Sequence, residues 1–176
     1  MIERLSGREV YRNQWLSLRE DRVQRDDGSQ GVYSVVDKPP MAIVLAIDEG
    51  DDGPGVWLVE QYRYTLGRRV WELPQGAYES GPQITPEALA RQELREETGL
   101  VAGRVERLGD TMYVASGFCS QEMHAFAALD LHSASPSVRP PSRTCSSHAS
   151  RSIGSRRCCD PVRSWTHSPT RRTASG

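Results

Sequence analysis

Apolar and polar positions divide the chain into strands, one helix and a patternless end. Trp15-Leu16-Ser17-Leu18-Arg19-Glu20-Asp21-Arg22-Val23 reads as a strand, Asp26-Asp27-Gly28 as a turn, and Val32-Tyr33-Ser34-Val35-Val36 as a returning strand. Residues 1–14 carry little pattern, so a hairpin ahead of the main fold is expected, ended by Pro39-Pro40. Ala42 to Ile47 is a short, β-branched apolar run and predicts a buried strand. Asp48 to Gly55 is a polar, glycine-rich turn, and Val56 to Tyr62 is the hairpin partner beyond it. Val70 to Leu73 predicts a short strand ending at Pro74. Arg104 to Asp110 and Met123 to Leu131 predict two more, joined by a loop at Tyr113 to Glu122. There is no internal repeat. Mostly antiparallel strands with one marked helix is an α+β arrangement.

That helix is expected over residues 86–98. Thr85 can cap it, Pro86 suits its first turn, and Gly99 suits a left-handed stop. Glu93, Glu96 and Glu97 stand at i, i+3 and i+4, so all three are expected on one side. The helical neighbours of Glu93 are Leu89, Ala90, Glu96 and Glu97, and none is a cation. Like charges at this spacing cost roughly 0.2–0.5 kcal/mol per pair. Glu96 and Glu97 also fall in the last turn, where the helix dipole disfavours an anion. A cation from outside would resolve both conflicts, and oxygen-only ligands point to Mg²⁺ or Mn²⁺.

Composition changes the picture in one respect. The 176 residues carry a formal net charge of −1. Residues 1–130 hold 14 Lys and Arg against 22 Asp and Glu, a balance of −8, whereas 131–176 hold 8 Arg and one Asp, a balance of +7. The acidic body argues against general nucleic-acid binding. No apolar run approaches a membrane span and the start lacks a signal-peptide pattern, so a cytoplasmic protein is expected. Cys119, Cys145, Cys158 and Cys159 have no framework spacing and are expected as free thiols.

Gln92-Glu93-Leu94-Arg95-Glu96-Glu97-Thr98-Gly99-Leu100, with Gly76 upstream, resembles the Nudix box. That pattern is G, five residues, E, seven residues, R-E-U-x-E-E-x-G-U, with U apolar. Three positions depart from it: the interval from Gly76 to Glu93 is two residues longer, the first Glu falls on Ile84, and the Arg falls on Gln92 beside Arg91. Leu58-Val59-Glu60-Gln61-Tyr62-Arg63-Tyr64 and Trp71-Glu72-Leu73-Pro74-Gln75-Gly76 resemble the ADP-ribose pyrophosphatase branch of Nudix hydrolases, and the resemblance covers residues 10–130. It implies a mixed β-sheet sandwiched between helices, an N-terminal β-hairpin region, and a homodimer formed through that region. The expected divisions are 1–38 for the N-terminal strands, 39–131 for the Nudix domain and 132–176 for a tail.

The resemblance also assigns roles. Glu93, Glu96 and Glu97 match the metal-binding, catalytic glutamates, and Gln75 matches a residue whose carbonyl is a metal ligand. Arg63 matches an arginine on the substrate's phosphates or ribose; its alternative is a salt bridge. Gly76 and Ala77 fall on the substrate side of the box. Trp15 and Tyr33 fall where the branch carries aromatics that stack on adenine; their alternative is packing on strands. Tyr113 to Glu122 resembles the branch's later loop, with Ser116 where a proline is associated with ADP-ribose preference. Glu122 and His124 match common positions without a catalytic role. The implied reaction is Mg²⁺-dependent hydrolysis of a nucleoside diphosphate linked to X, with ADP-ribose or a related ADP-sugar as the small-molecule substrate. The alternative is a Nudix-fold protein that binds nucleotide sugars with weak or no catalysis. Isomerisation of isopentenyl diphosphate shares the box but not the segment ending at Arg63.

After Leu131 the composition shifts to 12 Ser, 8 Arg and 5 Pro, with no Glu, Lys, Phe or Tyr. Such a stretch is expected to be disordered. It reads either as a basic tail for nucleic acid or anionic surfaces or, the preferred reading, as an altered reading frame of a GC-rich gene. Shifted codons chosen for residues 158–167 can encode a Gly-Glu-Ile-x-Asp string that resembles the family's last helix.

Overall fold

The computed structural model describes residues 1–49, 54–78, 84–134, 146–151 and 154–157. Three strands open the chain: β1 (Ile2–Arg12), β2 (Ser17–Arg25) and β3 (Gln30–Asp37), paired antiparallel in that order. The β2–β3 turn falls at the expected Asp26-Asp27-Gly28, where the Asp27 side chain accepts the Ser29 amide at 2.9 Å. β1 was not expected, and its burial explains why: all eleven residues are exposed, so no apolar period marks it. Backbone pairing with β2 holds it, with cross-strand ion pairs from Arg8 to Glu20 at 2.6 Å and Arg4 to Asp21 at 3.0 Å. The Asn13 side chain closes the β1–β2 connection by accepting the Trp15 and Leu16 amides at 2.8 and 2.9 Å.

The central strand β4 (Met41–Asp48) alternates fully buried Ala42, Val44 and Ala46 with half-buried Ile43, Leu45 and Ile47. Then follow β5 (Gly55–Arg63), a 3-10 turn at Tyr64–Leu66, β6 (Arg68–Glu72), β7 (Gln75–Ala77), the helix α1 (Pro86–Thr98), β8 (Leu100–Arg107), β9 (Met112–Tyr113) and β10 (Glu122–Ser133). β10 runs parallel to β4 and antiparallel to β8, so the sheet is mixed. β6 lies against β5, and the short β7 against β4.

α1 keeps its expected bounds because each end is marked. The Thr85 side chain accepts the Ala88 amide at 3.1 Å, and Gly99 takes a left-handed φ of 72° while its amide reaches the Arg95 carbonyl. Leu89, Ala90 and Leu94 pack on Ala42, Val44, Ala46, Phe126 and Ala128 in one core. Three alanines on the sheet let the helix come close. α1 is the single α-helix among the described residues, so a sandwich between helices is represented there by one layer on one face. No helix among them is long and apolar enough to cross a membrane.

The expectation of disorder after Leu131 meets a difference. β10 extends to Ser133, β11 (Ser146–Arg151) pairs antiparallel with β5, and β12 (Gly154–Arg157) pairs with β11. An open strand edge accepts any backbone that presents donors and acceptors in register, whatever its side chains. The stretch used for the reading-frame argument lies outside the described residues, as do Cys145, Cys158 and Cys159; Cys119 is a buried free thiol.

Removing the α1 cap by Thr85→Ala should destabilise the protein by about 1 kcal/mol. Urea unfolding should show a lower midpoint with an unchanged slope.

Candidate active site

The site is built where α1 crosses β7. Helical spacing puts Glu93 and Glu97 one turn apart on the face that meets the strand. Glu93 is 8% exposed, an unusual burial for a carboxylate. Its carboxylate lies against the Gly76 backbone so closely that a Cβ on residue 76 would overlap it. One residue earlier, the Gln75 amide donates to Glu97 Oε2 at 2.9 Å. The β7 backbone therefore contacts both glutamates at successive residues.

A second contact runs from β7 to the β5–β6 hairpin. Gln75 Nε2 donates to Glu72 Oε2 at 3.1 Å, and Glu72 in turn binds Arg63. Arg63 Nε donates to both carboxylate oxygens at 3.0 Å, and its Nη2 donates to Oε2. These bonds hold the Glu72 carboxyl below its ordinary value: hydrogen bonding from Arg63 is the main cause, opposed by burial and reinforced by the Arg63 charge and the Gln75 amide. Arg63 thus has the ion pair that was the alternative reading, and that ion pair connects it to the glutamate helix through Gln75.

Contacts connect Arg63, Gln75, Gly76, Glu93 and Glu97, with Glu72 between Arg63 and Gln75. Ala77 follows them on β7, opposite Met41. Glu96 is exposed, and Gln92 donates to it at 3.0 Å. The glutamine stands where the box has an arginine, and four residues along a helix puts its amide within reach of Glu96. Among the described residues no three His, Cys, Asp or Glu side chains gather as a metal-ligand group. The oxygen donors in the cluster are the Glu93 and Glu97 carboxylates and the backbone of Gln75, a hard set suited to Mg²⁺ or Mn²⁺.

Trp15 and Tyr33 belong to the N-terminal sheet. Trp15 is 61% exposed. The Tyr33 hydroxyl donates to the Gly117 carbonyl, tying β3 to the later loop. The same junction holds Val36 N to Phe118 O at 2.8 Å, Ser120 N to Val36 O at 3.0 Å and Ser120 Oγ to Asp37 at 2.6 Å. His124 is buried, with Nδ1 3.5 Å from Arg107 and 3.4 Å from Thr111, and Nε2 3.8 Å from Glu122. Glu72 is the residue that sequence reasoning missed. Its signal was present: in a hairpin with Arg63 opposite Arg68, alternation puts Glu72 on the face of Arg63.

A family model described as NUDIX domain matches residues 38–145, and one described as nucleoside diphosphate sugar hydrolase N-terminal domain matches residues 2–36. The chain is 33% identical over 130 residues to an ADP-ribose pyrophosphatase of Mycobacterium tuberculosis, an alignment covering 74% of this chain and 60% of that one. It is 30% identical over 128 residues to an ADP-ribose pyrophosphatase of Bacillus subtilis, covering 72% and 65%. In both cases the match spans less than two thirds of the relative. A solved structure titled crystal structure of ADP compounds hydrolase superposes with a TM-score of 0.67 at 19% identity, covering 84% of this chain and 77% of that one, a likeness of fold.

Two outcomes follow from the contacts of β7. Gly76→Ala should cost about 1–3 kcal/mol by overpacking against Glu93. The cost should largely vanish in a Glu93→Ala background, as thermal unfolding of the four variants would show. The Arg63–Glu72 pair should depend on pH with a definite sign. A depressed folded pKa means the stabilisation is present above the unfolded carboxylate value, about 4.3, and is lost as pH falls through the folded value. The stability difference between wild type and Arg63→Ala should therefore shrink from pH 7 to pH 3.

Proposed function

Because this chain belongs to the Nudix family, we propose that it is a divalent-metal-dependent pyrophosphohydrolase acting on a nucleoside diphosphate linked to X. ADP-ribose and related ADP-sugars are the substrate class. The observation that carries this reading is the pair of carboxylates, Glu93 and Glu97, held on successive residues of one strand beside a chelated arginine. The names of the two bacterial relatives support the choice of ADP-ribose. Products would be a mononucleotide and phosphorylated X.

Glu93, Glu97 and the Gln75 carbonyl are the residues that would hold Mg²⁺, with Glu96 completing the set if it leaves Gln92. When bound, the metal would neutralise phosphate oxygens and lower the pKa of an attacking water. The protein supplies the rest. Gly76 leaves room for the Glu93 carboxylate, the Gln75 amide orients Glu97, and Arg63 presents positive charge toward a diphosphate. Trp15 and Tyr33 are assigned to the adenine, Tyr33 with its hydroxyl engaged and its ring available. The exposed apolar residues of β1, Ile2, Leu5, Val10 and Tyr11, support a homodimer through the N-terminal sheet. A cytoplasmic location is part of this proposal. A second reading, nucleotide-sugar binding without cleavage, is favoured by the engagement of Glu96 with Gln92.

Purified protein should hydrolyse ADP-ribose with Mg²⁺ and lose that activity with EDTA. Glu97→Gln keeps an oxygen for the Gln75 amide but removes the charge. It should lower turnover on the order of 10²-fold or more while remaining folded. Wild-type turnover in this variant would remove Glu97 from the metal site. Tight binding of ADP-ribose without Mg²⁺-dependent products would favour the binding protein.

A further inference from the structure

Strand register sets an unusual problem at the tip of the β5–β6 hairpin. Arg63 lies directly opposite Arg68 on one face, an arrangement of like charges that destabilises a strand pair. Alternation puts Gln61 opposite Val70 and Val59 opposite Glu72 on that same face. Glu72 is therefore four residues along the strand from Arg63, about 13 Å of strand rise. To reach it, the Arg63 side chain runs back over the Gln61–Val70 pair, away from the exposed tip at Tyr64 and Leu66. The chelate with both Glu72 oxygens fixes the guanidinium plane. Glu72 also accepts from Gln75, whose amide donates to Glu97. One carboxylate thus joins the hairpin to the segment that holds the glutamate helix.

We infer that Glu72 is a positioning residue that presets Arg63 for the substrate's diphosphate. This rests on the pyrophosphohydrolase reading. Glu72 itself does not touch the reacting atoms. It removes the rotamer freedom that a long arginine would otherwise lose on binding, and it turns the guanidinium toward β7. Its cost is partial neutralisation of the charge that the arginine offers.

The test is a double-mutant cycle of Arg63→Ala, Glu72→Ala and the two combined, with Glu72→Gln as the isosteric control. Two readouts are taken: steady-state hydrolysis of ADP-ribose, and the Kd for α,β-methylene ADP-ribose by calorimetry. Glu72→Ala should raise KM and Kd about tenfold, with a smaller change in kcat. Glu72→Gln should fall between it and wild type. The double variant should bind no more weakly than Arg63→Ala alone, because a residue that acts through Arg63 has nothing to position once it is gone. Multiplying effects of the two substitutions would overturn the inference. So would a Glu72→Ala or Glu72→Gln protein that melts lower yet keeps wild-type KM and Kd. Absence of turnover in wild type would sink the hydrolase reading, while the Kd cycle would still decide the role of Glu72.

Discussion

The contact between the Glu93 carboxylate and the Gly76 backbone is the constraint on which the site depends. A buried carboxylate is expensive unless something compensates it. Here the residue is 8% exposed and rests on a glycine that any larger side chain would displace. The helix cannot shift along the strand without losing this fit or the Gln75–Glu97 hydrogen bond one residue away. Both contacts use the backbone of β7, a three-residue strand pinned to β4.

That fit depends in turn on how close α1 lies to the sheet. Ala42, Ala46 and Ala128 are fully buried beneath it, and Leu89 and Leu94 fill the layer between. Larger side chains on β4 or β10 would lift the helix and move the glutamates off Gly76. The cap at Thr85 and the left-handed Gly99 hold the length of α1, so that the glutamates keep their phase relative to the strand. Core packing and site geometry are here the same set of contacts seen from two ends of one helix.

What could be read from the sequence follows from where burial imposes a period. β4 and α1 each have one face in the core, so their bounds were legible to within a residue. β1 has no buried residue and left no period, although it is longer than β4. β7 is too short for any period. The strand at 146–151 rests on the edge of β5, a determinant that lies in another part of the chain. In the site, spacing identified Glu93 and Glu97, because helical neighbours are fixed by sequence interval. It did not show the Gln92–Glu96 hydrogen bond, which depends on a side-chain choice. Nor did it show Glu72 against Arg63, which depends on hairpin register. The tie from Tyr33 to Gly117 joins residues 84 apart, beyond any local signal.

The charge balance of the cluster leads to the last step. Glu72, Glu93 and Glu97 stand against Arg63 on the elements that meet at β7, with Glu96 on the exposed side of the same helix. Arg63 is already chelated by Glu72. On the proposed reading such a site would repel a diphosphate, and the Arg63 guanidinium would not by itself reverse the sign. A site of this composition becomes attractive to a polyanion only after divalent cations have joined it. If the proposed function holds, metal and substrate would bind with positive coupling, each raising the other's affinity by the same factor. The arginine's part is narrower than attraction. On the proposed reading, Arg63 held in one plane by Glu72 would offer directed donors to an anion drawn in by cations, so orientation and short-range binding, rather than long-range attraction, would be its part.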